Sequence, residues 1–148
     1  DLEVLPGAVG GVLTPIAVAD GVVYVSVVNA PNTYAGPEQS SSGAEGLRLG
    51  SFNSQLVAID AATGDIPWDV DLPGDSFGGA TVVNDLVFTS VLSGLILALD
   101  RETGETVWTY QAPGGINGWP AFVEDRLIIP VGFGDPPVLL ALGLPGDS

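Results

Sequence analysis

Short apolar runs, each stopped by Asn, Asp or Gly, recur along this chain. Val82-Val83, Leu86 to Thr89, Leu95 to Leu99 and Val107 to Tyr110 follow one another closely and are rich in β-branched and aliphatic residues. Runs this brief are too short for helices, so they predict four successive strands. The uncharged stretch Leu86 to Leu99 is broken at Ser93-Gly94 and falls short of the roughly 20 residues a membrane helix needs. It reads as strand, turn, strand, and no membrane span is expected.

The pattern returns at a fixed interval. Ala58 to Trp68 (Ala-Ile-Asp-Ala-Ala-Thr-Gly-Asp-Ile-Pro-Trp) aligns with Ala98 to Trp108 (Ala-Leu-Asp-Arg-Glu-Thr-Gly-Glu-Thr-Val-Trp) at a displacement of 40 residues. Ala58, Asp60, Thr63, Gly64 and Trp68 coincide with Ala98, Asp100, Thr103, Gly104 and Trp108. A second element, in which an apolar pair, a turn Asp and another apolar run succeed one another, lies around Asp20, Asp85 and Asp125. Asp85 to Asp125 is again 40 positions, but Asp20 to Asp85 is 65. The first copy therefore carries an insertion of about 25 residues within 28–54, whose Asn, Pro, Ser and Gly content suits a loop.

Four short strands in ~40 residues make one blade of a β-propeller. In each blade the Asp of the repeat can bond forward into the turn, and the Gly supplies the positive φ a tight hairpin demands. Trp68 and Trp108 then fall on the outermost strand, where packing against a neighbouring blade is the expected role. Asp1 to Gly7 resembles Asp69 to Gly74, the segment directly after Trp68, whereas Leu139 to Leu142 matches a third strand.

The expected fold is all-β: three four-stranded antiparallel blades forming an incomplete propeller over 1–148. Its parts are an outer strand of a composite blade at 1–7, a blade at 8–72 with the inserted loop, a blade at 73–112, and three strands of the last blade at 113–148. Propellers close with about four to eight blades, so further blades are expected, from the same longer polypeptide or from another copy. The chain has no Met and starts at Asp1, which suggests a processed product or a piece of something longer. Alone, it is not expected to be a stable monomer.

Composition narrows the chemistry. Eighteen Asp plus Glu against three basic residues, all Arg, give a net charge of −15. Such a surface lacks the cationic footprint that nucleic acid or an anionic membrane requires. With neither Cys nor His there is no disulfide, no thiolate or imidazole metal ligand, no Ser-His-Asp triad and no attached c-type haem. The Gly-rich run Gly7 to Gly11 has no Lys and no helical pattern after it, so phosphate cradling is unsupported. Asp69 and Asp71 share a strand face, as an acid pair would, but charges guarding an outer strand explain them more simply.

The A-x-D-x-x-T-G-x-x-x-W pattern at Ala58 to Trp68 and Ala98 to Trp108 resembles the tryptophan-docking motif of the quinoprotein (pyrroloquinoline quinone-binding-like) β-propellers. The segment from Phe77-Gly78-Gly79-Ala80 to Ile116-Asn117-Gly118-Trp119-Pro120 is similar to blades of quinoprotein alcohol dehydrogenases. The resemblance implies a secreted or periplasmic protein, and a pyrroloquinoline quinone pocket on the propeller axis with a Ca²⁺ beside it. Asn29, ahead of Ala30-Pro31 and the excursion to Ser51, would be a Ca²⁺ ligand. Asn117 and Trp119 would meet the quinone, one by hydrogen bond and one by ring contact. Each has a plainer reading: Asn29-Ala30-Pro31 as a turn out of a strand, and Gly114 to Trp119 as an inter-blade loop with one packing aromatic. The vicinal Cys pair of those enzymes is missing, and no segment after Trp68 matches the one that bears their catalytic base, although Asp75 lies nearby.

Two functions follow. One is a quinone- and Ca²⁺-dependent dehydrogenase of which this chain is part. The other is a non-catalytic propeller that serves as a scaffold or assembly module for other proteins.

Overall fold

A computed structural model describes residues 11–29 and 49–143. Its first sheet is a meander of β1 (Ala17–Ala19), β2 (Val22–Asn29), β3 (Asn53–Asp60) and β4 (Trp68–Leu72). The second repeats it with β5 (Thr81–Val83), β6 (Leu86–Ser90), β7 (Leu95–Asp100) and β8 (Thr106–Gln111). The third has three strands among the described residues, β9 (Ala121–Val123), β10 (Arg126–Val131) and β11 (Val138–Gly143). All pairings are antiparallel. The result is three blades of an all-β propeller. The predicted outer strand at 1–7 lies outside the described residues. No helix among those described is long and apolar enough to cross a membrane.

Two-residue loops join the first two strands of every blade: Asp20-Gly21, Asn84-Asp85 and Glu124-Asp125. Their leading residues have φ of +49°, +51° and +55°, the left-handed start that a tight hairpin requires. Two details of the sequence reading shift as a result. The structural equivalent of Asp20 is Asn84, not Asp85, so the interval is 64 rather than 65. The inserted loop is also shorter than 28–54, because Val28 and Asn29 pair with Ser54 and Asn53 and continue the ladder.

Strand periodicity explains the core. In the central sheet Leu97 and Leu99 face the first blade, joining Tyr24, Leu56, Ala58 and Val87, while Ile96 and Ala98 face the third, joining Phe88, Ile116, Leu127 and Ile129. A sheet covered on both faces needs an unbroken apolar strand, and Leu95-Ile96-Leu97-Ala98-Leu99 supplies one. The third sheet buries Leu127, Ile129 and Val131 toward the second blade, while Leu139 on its other face is 69% exposed.

Candidate functional site

The meander sends successive loops to alternate ends of the blades. At one end lie the two-residue hairpins and the Thr-Gly turns. In the first blade Asp60 Oδ1 accepts from the amides of Ala62 and Thr63, both at 2.8 Å, and the Gly64 amide donates to the Asp60 carbonyl at 2.8 Å. In the second, Asp100 Oδ1 accepts from the Glu102 and Thr103 amides at 3.0 and 2.9 Å and from the Thr103 hydroxyl at 2.9 Å. Donors aimed at a carboxylate favour its charged form, and in each blade the Thr amide is the largest of the influences that hold the Asp below its ordinary pKa. Gly64 and Gly104 take φ of +80° and +75°. In the third sheet Gly143 stands opposite Arg126, where Asp60 and Asp100 stand opposite Val22 and Leu86.

This end also joins blades. Trp68, on β4, lays its ring on Gly104 of the next blade, where an added Cβ would stand 2.8 Å from Cδ2. Its Nε1 donates to the Arg101 carbonyl at 3.1 Å, and the Tyr24 hydroxyl donates to the same oxygen at 3.3 Å. Burial, the largest influence on the Tyr24 phenol, holds its pKa above the ordinary value, while the Arg101 charge opposes. Arg101 in turn reaches back to Asp20 at 2.7 Å. Trp108, by contrast, is 40% exposed and packs against Phe88 and Tyr110. Ala58 and Ala98 are buried, each in a different inter-blade core.

The opposite end carries the other predicted residues. Asn29 closes β2 opposite Asn53, and its amide donates to Gln55 Oε1 at 3.5 Å. Gln55 then donates to Asp71 at 3.1 Å and Asp69 at 3.4 Å, a polar ladder across three strands. Asn29 is therefore a strand residue engaged along the sheet. Asn117 and Trp119 are exposed in the β8–β9 connection, Asn117 beside Gly132 and Trp119 beside Gly79. Among the described residues no hydrogen bond joins either of them to Asn29.

Asp75 is the residue that inspection of the sequence undervalued. It is 1% exposed, and its carboxylate accepts from the amides of Gly50 and of Phe52, the latter at 2.7 Å. Its own carbonyl accepts the Leu92 amide at 2.8 Å, as the Gly115 carbonyl accepts that of Phe133 at 3.1 Å. Asp75 and Gly115 are thus repeat equivalents, and an acid where the next blade has glycine was the available signal. Next to it, the hydroxyls of Ser26, Ser76 and Thr89 form a buried cluster, with Ser76 also donating to the Ser90 carbonyl at 3.1 Å. The same position in the next blade interface is the buried apolar Ile116.

The sequence profile of the family described as outer membrane protein assembly factor BamB matches residues 50–133, more than half of the chain. The chain belongs to the pyrroloquinoline quinone-like propeller repeat family. Solved structures agree on the fold. BamB from Moraxella catarrhalis superposes with a TM-score of 0.58 at 23% identity, over 89% of this chain and 33% of that one. Quinohemoprotein alcohol dehydrogenase from Comamonas testosteroni gives 0.57 at 25% identity, over 81% and 17%. The Pseudomonas putida HK5 quinohemoprotein alcohol dehydrogenase ADHIIG gives 0.56 at 21%, over 81% and 22%. This chain thus spans at most about a third of these propellers. A search of curated protein sequences finds no match.

Within this family the quinone–calcium centre can be tested against the residues present. Calcium takes about six to eight oxygen ligands, whereas Asn29 offers one carbonyl oxygen on a side chain already turned toward Gln55. Among the described residues no three acids gather into a possible metal site. The described residues do not fit the centre by themselves.

Proposed function

We propose that this chain is part of an extracytoplasmic propeller that works as an assembly module, completed by further blades and presenting its loops to other proteins. The observation that carries this reading is the engagement of Asp75. A general base must offer a free lone pair within reach of a substrate proton. Asp75 is buried, and its carboxylate oxygens are directed at two backbone amides. Its burial keeps it from solvent, and it anchors the backbone that leads into β3. The polar ladder through Asn29 has the same structural character. The family profile, described as an outer membrane protein assembly factor, supports a secreted or periplasmic location.

The test is to add pyrroloquinoline quinone and Ca²⁺ to the full-length protein that carries this chain and follow absorbance. The assembly reading expects no saturable binding, and Asn29→Ala should leave metal content unchanged. A second reading, a quinone-dependent dehydrogenase, is favoured by the exposure of Asn117 and Trp119 at the same end of the blades as Asn29 and by the dehydrogenase neighbours. It requires the remaining ligands to come from other blades. Saturable binding that weakens in Trp119→Ala or Asn117→Ala would establish it instead.

A further inference from the structure

Between the first and second blades, at the end that carries the Thr-Gly turns, a half-open cleft of about 510 Å³ is unassigned by either functional reading. That volume suits a small organic ligand. Its wall is apolar where Val22, Pro67 and Trp68 line it, and its rim is acidic where Asp85 and Glu102 stand exposed. The lining holds four carboxylates against one guanidinium. That guanidinium, on Arg101, is held by Asp20 at 2.7 Å across the two blades and also feels the charge of Asp85, so the lining keeps an excess of negative charge. Asp100 is committed to its turn through Oδ1. Glu102 and Asp85 have no side-chain hydrogen bond or ion pair among those described, although the charge of Asp85 acts on Arg101.

An apolar wall that ends in two carboxylates matches one chemical class: a compact cation on a short hydrocarbon stem. The stem covers Val22 and Pro67, and the head meets charge at the rim, where the half-open geometry screens it less than bulk water does. An anion is disfavoured by the net charge of −15. We propose that this cleft binds a guanidinium or primary ammonium group carried on such a stem, either a free amine or the side chain of an arginine or lysine.

The test uses the full-length protein, with butylguanidinium as the free cation and acetyl-Gly-Arg-Gly-amide as the peptide-borne one. Affinities come from calorimetry, and the site from the indole NMR signal of Trp68, assigned by its loss in Trp68→Phe. The expected result is saturable binding that shifts the Trp68 signal and weakens about tenfold in the double variant Asp85→Asn with Glu102→Gln. The matched change Glu124→Gln with Asp125→Asn, on the corresponding hairpin of the third sheet, should leave affinity unaltered. Tighter binding of the peptide assigns the ligand to a protein side chain, and tighter binding of butylguanidinium assigns it to a free amine. Absence of saturable binding by both probes, an equal loss in the two double variants, or an unmoved Trp68 signal would overturn the proposal.

Discussion

Trp68 and Gly104 meet face to face across the boundary between two blades: a Cβ on Gly104 would lie 2.8 Å from the indole Cδ2. Gly64 holds the same place in its own blade, with φ of +80° against +75°, yet a Cβ there meets nothing within 4 Å among the described residues. Gly104→Ala combines left-handed strain with a clash against the indole and should cost about 2–4 kcal/mol, but only about 1–2 kcal/mol in a Trp68→Ala background, where the ring is gone and the strain alone remains. Denaturant unfolding of the full-length variants measures the difference, and equal losses would contradict the docking role.

The indole N–H can be separated from the ring. Trp68→Phe keeps an aromatic face on Gly104 but removes the donor to the Arg101 carbonyl, which Tyr24 still partly satisfies. A loss of about 0.5–1.5 kcal/mol is expected, against about 3 kcal/mol or more for Trp68→Ala. A double-mutant cycle with Tyr24→Phe should be non-additive, because the two donors share one acceptor.

Asp75 is expected to be the costliest polar position. Asp75→Ala strands the buried amide of Phe52 and frees that of the exposed Gly50, and should destabilise by about 1–3 kcal/mol. Hydrogen exchange at Gly50 and Phe52 should accelerate well before the strands open, since those amides depend on this carboxylate and not on the β2–β3 ladder. Unchanged protection would contradict the anchoring role.

The Asp60 and Asp100 turns carry a pH signature. Both carboxyls are held below their ordinary pKa in the folded chain, so the unfolded state binds protons more readily as the pH drops. Their contribution is complete above the ordinary aspartate range and is lost as pH falls through the depressed native values. NMR titration of the Thr63 and Thr103 amides should give midpoints below that of an unstructured aspartate. Midpoints at the ordinary value would mean that the turn bonds do not form.

Much of this architecture was legible in the chain. Asp60, Gly64 and Trp68 recur as Asp100, Gly104 and Trp108, and positions fixed by turn stereochemistry and close ring approach leave a repeat that can be seen by eye. The hairpin register slipped by one because Asn84 and Asp85 are both acceptable turn residues, and only strand pairing says which one leads. Asn29 looked like a loop residue because Pro31 follows it closely, yet the ladder with Asn53 extends the strand through it. Asp75 and the Ser26–Ser76–Thr89 hydroxyls stayed hidden for a different reason: their partners lie far along the chain, and no local pattern announces a buried polar contact.

In the proposed assembly module the polar residues at the loop end of these blades hold structure and bind no quinone. Titrating the full-length protein with pyrroloquinoline quinone in the presence of Ca²⁺, by difference absorbance, tests it most directly. The expected result is no saturable spectral change, with the wild type indistinguishable from the Asn29→Ala, Asn117→Ala and Trp119→Ala variants. A saturable change that these substitutions abolish, in variants that remain folded, would contradict it.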